Sequence, residues 1–266
     1  MPAPPVYDWP AHHAARAPDR LAMHDLATGR RFGWRAFADR VGRLAGGFAE
    51  RFGVGRGDRV AVLARNSTDI FAIQFACWRL GAIFVPLNWR LTAHELAFQL
   101  GDSAPALLIA GPEFRATASE AMAEAPVPIL PFDDGAPGAF ETLATAGAPR
   151  DMLPDLAHDH VAAILYTSGT TGRPKGALIT HGMVFWNAAN LGLPSEVDRR
   201  TVHLTVLPLF HTAGLNAYGN VVVHAGGTNL VLREFDAARM LALLRDPALG
   251  ITHTYMVPSG YQFMAE

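Results

Sequence analysis

Cysteine is nearly absent from this chain: Cys77 stands alone among 266 residues. An internal disulfide is therefore excluded, and such sparse usage fits a reducing compartment. No long uninterrupted hydrophobic run is present either. The greasiest stretch, Ile70 to Leu87, is broken by Gln74, Arg79, Gly81 and Pro86. It reads as a buried helix followed by a strand, not as a membrane span. Charge of one sign is also lacking, with 22 Lys and Arg against 24 Asp and Glu and a net charge of −2. That balance offers no footprint for nucleic acid or an anionic membrane surface. The opening residues, with Pro2, Pro4 and Pro5 ahead of Asp8, hold no apolar core of the length a secretory signal needs. The expectation is a soluble, cytoplasmic protein with no integral membrane segment and no nucleic-acid partner.

What is present is a chain able to bury a large core: half its residues are hydrophobic and 17% are charged. Trp34, Phe37, Val41, Leu44 and Phe48 recur at spacings of three and four, which puts them on one helical face. Arg59 to Leu63 reads as a short buried strand, and Ser67 and Thr68 offer caps for the apolar helix that follows. Strands are expected again at Ile83 to Leu87, Ala106 to Ile109 and Val127 to Pro131, with helices at Thr92 to Leu100 and Phe114 to Ala123. Between Asp133 and Pro154 the apolar rhythm fades into Gly, Ala, Pro and Asp, as in a linker or long surface loop. It restarts with strands at Val161 to Tyr166 and Ala177 to Ile179 and a helix from Gly182. Val202 to Val206, Asn229 to Leu232 and Ile251 to Val257 are extended; Gly214 to Val223 and Asp236 to Leu244 are helical. Strands separated by helices predict an α/β fold with helix-covered, largely parallel sheets. The expected division is a first α/β half at about 10–132, a linker at about 133–155 and a second half at about 156–266.

Residues 166 to 176 read Tyr-Thr-Ser-Gly-Thr-Thr-Gly-Arg-Pro-Lys-Gly, directly after an apolar strand. Glycine lets backbone N–H groups approach an anion closely. The hydroxyls of Thr167, Ser168, Thr170 and Thr171 can donate to phosphate oxygens, and Lys175 adds a point positive charge. A Walker A loop would place glycine before the lysine and Ser or Thr after it; here Pro174 and Gly176 stand there. A plain Ser/Gly surface loop has no reason to combine this strand, this hydroxyl density and this lysine.

The run Leu165-Tyr-Thr-Ser-Gly-Thr-Thr-Gly-Arg-Pro-Lys-Gly176 resembles, residue for residue, the signature of the adenylate-forming (AMP-binding) superfamily, which includes acyl-CoA synthetases, luciferases and peptide-synthetase adenylation domains. Gly81 to Asn88 resembles that family's early Pro-Leu-Asn block, Thr180-His181 the pair that follows its phosphate loop, and Leu207 to Leu215 its Pro-Leu-Phe-His-x-x-Gly block. Thr252 to Pro258 is similar to its Thr … Val-Pro strand. The resemblance implies an incomplete large N-terminal domain of the acyl-CoA synthetase fold, with the small C-terminal domain absent. It implies ATP-dependent conversion of a fatty or aryl carboxylic acid to an acyl-adenylate and then to acyl-CoA, with release of pyrophosphate and AMP. ATP, Mg²⁺ and coenzyme A would be the cofactors and co-substrate. On the same basis Thr167, Ser168, Gly169, Thr170, Thr171, Gly172 and Lys175 would grip the β- and γ-phosphates. Lys175 and His211 would be the catalytic positions, His211 lying beside the substrate carboxylate, and Asn216 to Gly219 would line the acyl pocket. No residue is assigned to the metal.

The family's later Tyr-Gly-x-Thr-Glu motif, ribose-binding aspartate and terminal lysine have no counterpart here, and Tyr261 to Glu266 does not match. The 266-residue chain alone is therefore expected to be inactive or crippled. A separate C-terminal half or a second copy of the chain would be its partner, and a non-catalytic nucleotide-binding remnant is the alternative of another class. An amino-acid adenylation domain fits less well, because His211 occupies the place where an aspartate would hold an ammonium group. His158-Asp159-His160 lacks a third metal ligand, and Phe71, Phe75 and Trp78 read as core.

Overall fold

The computed structural model describes residues 3–133, 135–168 and 173–265. The first sheet has the order β6-β5-β3-β4-β7-β8. Its strands are β3 (Arg59–Leu63), β4 (Ile83–Pro86), β5 (Leu107–Ala110), β6 (Ile129–Pro131), β7 (Val161–Thr167) and β8 (Lys175–Thr180). All pair in parallel except β8, which runs antiparallel to β7. The second sheet has the order β11-β9-β10-β1-β2, built from β1 (Leu21–Asp25), β2 (Arg31–Gly33), β9 (Val202–Thr205), β10 (Thr228–Val231) and β11 (His253–Thr254). It too is parallel apart from its edge strand β2.

Several of the helices lie where side-chain periodicity puts them. In α2 (Trp34–Phe52) the predicted stripe Trp34, Phe37, Val41, Leu44 and Phe48 is buried. Ser67 caps α3 (Thr68–Arg79) by accepting from the Asp69 N–H, and Thr92 with Glu95 forms a capping box at the start of α4 (Ala93–Ser103). Alternate side chains of the first sheet point to opposite layers. Val60, Val62 and Phe84 join a central core with Phe71, Phe75 and Trp78 of α3, while Ala61, Leu63 and Val85 pack with Leu96 and Leu100 of α4. The central core also takes Ala22, Met23 and Val231 from the second sheet, so α2 and α3 are sandwiched between the sheets. Outside the second sheet, Leu204 and Leu230 meet Met240 and Leu243 of α9 (Ala237–Arg245).

The sheets are not divided at the expected linker. β1 and β2, from the first stretch of chain, belong to the second sheet, and β7 and β8 complete the first. Parallel pairing needs crossovers, so strands close in sequence are free to serve different sheets. The stretch 133–155 carries a helix, α6 (Ala139–Ala146), with Phe140 fully buried. Arg40 of α2 donates to Glu141 of this helix at 2.6 and 2.9 Å and to Asp69 of α3 at 2.6 and 3.0 Å. Beyond α6 the backbone lies against α2, where a methyl at Gly46 would overlap the Ala148 carbonyl oxygen. The expected helix at Gly214 to Val223 begins as a π-helix, Ala213–Gly219, and continues as α8 (Asn220–Ala225). Cys77 is buried in the central core, and burial pushes its thiol pKa up. Among the described residues no helix is long and apolar enough to cross a membrane.

Candidate functional site

Strands β3, β4 and β7 are parallel neighbours and therefore end on one edge of the first sheet. From that edge emerge Arg65 and Asn66 after β3, Trp89 and Arg90 after β4, and Ser168 after β7. In an open parallel sheet this carboxyl edge is where ligands bind, because the crossover loops diverge there and leave a crevice. The phosphate-binding candidate is the connection of the β7–β8 hairpin, whose last pair is Thr167 opposite Lys175. Thr167, Ser168, Arg173 and Lys175 are all exposed, so two hydroxyls and two cationic side chains crowd one loop open to solvent. Gly169, Thr170, Thr171 and Gly172 lie outside the described residues.

The base of this hairpin is anchored from below. The Tyr166 hydroxyl donates to the Asp102 carboxylate of α4 at 2.6 Å. Burial, then the neighbouring carboxylate, raises the phenol pKa, so Tyr166 stays neutral and keeps its donor.

The second sheet brings the other candidate. After β9 the chain runs Val206 to His211 across the carboxyl ends of the first sheet, and Asn66 holds it there. Leu209 N–H donates to Asn66 Oδ1 at 2.9 Å, while Asn66 Nδ2 donates to the carbonyls of Leu207 at 3.0 Å and Leu232 at 3.2 Å. Asn66 is buried and uses both ends of its amide to tie the carboxyl edges of the two sheets together. Arg65 reinforces the tie through ion pairs to Glu234 and, at 3.4 Å, to Glu113.

His211 follows as an exposed residue. Ala213 N–H donates to its Nδ1 at 3.2 Å, so in the neutral ring the proton sits on Nε2. Gly214 completes the motif for a steric reason: a methyl there would overlap the Pro208 carbonyl oxygen. His211 borders a cleft of about 330 Å³ whose walls include Trp89, Phe210, Phe235, Met256 and Phe263, with Arg90 and Arg233 among its charged groups. The guanidinium carbons of Arg65 and Arg90 each lie 4.8 Å from the Trp89 ring centroid, a cation–π arrangement that holds Arg90 at the cleft. The Asn216 side chain turns instead to Thr212 and Asn220.

Thus the structure sets Thr167 opposite Lys175, and it puts His211 on a loop clamped to the first sheet by Asn66. Asn66, Trp89, Arg65 and Arg90 were not singled out from sequence. Their signal was positional, since each follows directly on a parallel strand. His158 packs 5.0 Å from Phe185, and His160 Nδ1 accepts the Ala157 N–H. Among the described residues no group of three or more His, Cys, Asp or Glu could hold a metal ion.

The sequence profile of the AMP-binding enzyme family matches residues 10–266. The chain belongs to that family. It is 35% identical over 257 residues to a feruloyl-CoA synthase of Amycolatopsis, covering 97% of this chain and 49% of the relative. It is 36% identical over 265 residues to an indoleacetate–CoA ligase of Aromatoleum aromaticum, covering 97% and 50%. Among solved structures, ATP-bound MatB from Rhodopseudomonas palustris superposes with a TM-score of 0.85 at 28% identity, covering 99% of this chain and 51% of that one. The inhibitor-bound N-terminal domain of FACL13 from Mycobacterium tuberculosis gives 0.86 at 27% identity, covering 97% and 64%. The fold of this AMP-binding chain is thus that of acyl-CoA synthetase N-terminal domains. The chain spans about half the length of the curated relatives it matches.

Proposed function

We propose that this chain supplies the ATP-phosphate grip and part of the acid and thiol sites of an AMP-forming acid–CoA ligase. The carrying observation is the hydroxyl- and cation-rich β7–β8 hairpin at the carboxyl edge of the first sheet. A carboxylate oxygen attacks the α-phosphorus of ATP, the bond to the bridging oxygen breaks, and pyrophosphate leaves. A thiol, as in coenzyme A, then attacks the acyl carbon, and AMP leaves.

Charge accumulates on phosphate oxygens in the first step, so preorganised donors and a cation at the β- and γ-phosphates lower its barrier. Thr167, Ser168 and Lys175 take that role, together with Gly169, Thr170, Thr171 and Gly172. His211 presents its Nε2–H beside the cleft, where it can orient the carboxylate or the adenylate. The apolar cleft walls with cationic groups suit a ligand that has an apolar stem and an anionic end, as the acid and coenzyme A both do. The relatives named for feruloyl and indoleacetate make aryl acids the first substrates to try, with fatty acids next.

Mg²⁺ fits this hairpin only as a partner of the nucleotide, since Thr167 and Ser168 bring hydroxyls and no carboxylate. Bound there, it would neutralise phosphate charge. The ribose- and adenine-side groups, on the same polypeptide or on a separate C-terminal half, belong to the same proposal.

The test is a panel of aryl and fatty acids with ATP and coenzyme A, run on this chain and on a version extended to the length of its relatives. Acid-dependent release of AMP by the extended protein, lost with Lys175→Ala, is the expected result. Release of ADP, or ATP binding indifferent to Lys175→Ala, would overturn the reading.

A further inference from the structure

The segment behind His211 is a π-helix, a rare geometry that widens the backbone and is often kept where function requires it. Here its groups are held by side-chain amides. Asn187 Nδ2 donates to the Asn216 carbonyl at 2.7 Å, and Asn229 Nδ2 donates to the Gly219 carbonyl at 3.1 Å. A second set of amides runs along the helix toward the site. Gln74 Nε2, in α3, donates to Asn220 Oδ1 at 2.8 Å, and Asn220 Nδ2 returns a bond to Gln74 Oε1 at 3.2 Å. Asn220 Nδ2 also donates to Asn216 Oδ1 at 2.9 Å, and Asn216 Nδ2 donates to Thr212 Oγ1 at 3.3 Å. Gln74, Asn216 and Asn220 are buried, while Thr212 and its neighbour His211 are exposed.

Apolar side chains would fill this space at lower desolvation cost, because a buried amide network contributes only when every member is satisfied. What the amides supply is register. Each step has a fixed length, and from Asn220 outward the donors point toward Thr212. The N–H groups of Gly214 and Leu215 donate to the His211 carbonyl at 3.1 and 3.0 Å, and that of Ala213 to its ring. The first turn of the π-helix therefore sets both the backbone and the ring of His211.

We propose that Gln74, Asn220 and Asn216 are positioning residues that hold His211 in its site orientation through this ladder. The proposal rests on the ligase reading only for what His211 then does. Asn220→Leu removes the one amide that Gln74 and Asn216 share at the middle of the ladder. Asn216→Ser, nearer the surface, breaks its last two steps and leaves the Gln74–Asn220 pair, which safeguards the test should Asn220→Leu fail to fold. The exchanged pair Gln74→Asn with Asn220→Gln keeps two amides of the same total length.

The readout is the ring-nitrogen NMR spectrum of the histidine-labelled chain, with the His211 signals assigned by their loss in His211→Gln. The expected result is that Asn220→Leu and Asn216→Ser move the His211 signals while the other histidines keep theirs, and that the exchanged pair restores them. His211 signals unchanged in folded Asn216→Ser, or a shift of all histidines in every variant, would overturn the proposal. In the extended protein the same variants should lower kcat about tenfold with the KM for ATP unchanged, as loss of an interaction made in the transition state does. If no acid supports turnover by the unsubstituted protein, the ligase reading fails, while the ring spectrum still decides the ladder.

Discussion

Asn66 and Leu209 are separated by 143 residues in sequence, yet the Leu209 N–H meets the Asn66 side-chain oxygen at 2.9 Å. That bond joins the carboxyl edges of two different sheets immediately ahead of His211. Asn66→Ala leaves the buried Leu209 N–H and two carbonyls without this partner, so a stability loss of about 2–4 kcal/mol is expected. Urea unfolding measures it. A loss below about 0.5 kcal/mol, the range of ordinary surface substitutions, would show that the clamp is dispensable.

Gly214→Ala tests the same loop from the other side. The added methyl overlaps the Pro208 carbonyl oxygen, so the turn carrying His211 must shift. Because the strain is local, the expected signature is displaced amide resonances across Pro208 to Leu215 together with a stability cost of about 1–3 kcal/mol. Resonances in that stretch that match the unsubstituted chain would rule out the steric account.

Acid should destabilise the fold through two buried histidines. Burial pushes His181 down to about 4, helped by His160 and His158, and pushes His203 down to about 4 against the pull of its bond to Asn229. Both rings are neutral in the folded protein and charge more readily when unfolded. Stability is then full above about pH 6.5 and falls between there and pH 4, by up to about 3 kcal/mol for each ring. Unfolding midpoints at pH 7 and pH 5 give the slope. His181→Phe, which suits a site beside Trp78, should flatten it; an unaltered slope counts against the assignment.

Arg40 is the hub of a buried ion network, and its own charge is secured by Asp69 and Glu141, which raise its pKa against the opposing effect of burial. Arg40→Leu strands the Asp69 carboxylate, 1% exposed, with Arg30 as its remaining ion-pair partner. The expected cost is about 3–5 kcal/mol. Arg40→Lys recovers only part of it, because an ammonium cannot bridge Asp69 and Glu141 with a planar fork. Equal stability of the Lys variant and the unsubstituted chain would contradict this.

Much of the fold was legible in the sequence because it is written in local periodicity. The stripe from Trp34 to Phe48 and the short apolar run Arg59 to Leu63 signal their element without reference to the rest of the chain. Strand β1 and helix α6 escaped for the opposite reason. Leu21 to Asp25 is too short and too mixed to mark a strand by itself, and it is held by pairing with Thr228 to Val231 far along the chain. Ala139 to Ala146 sits among Gly, Pro and Asp and is stabilised by Phe140 in the core and by Glu141 on Arg40.

The sequence by itself determined the glycine-, hydroxyl- and lysine-bearing loop between two strands, the family, and the presence of parallel, helix-covered sheets, since glycine, hydroxyl and lysine spacing and apolar rhythm are local properties of the chain. Tertiary structure alone decided which strands share a sheet, how Asn66 brings His211 to the first sheet's edge, and that the helix behind His211 is a π-helix threaded by amides. Those are long-range hydrogen bonds between single polar side chains and distant backbone. A hydrogen bond of that kind leaves no periodic trace, because the partner is chosen by proximity in the fold and not by spacing along the chain.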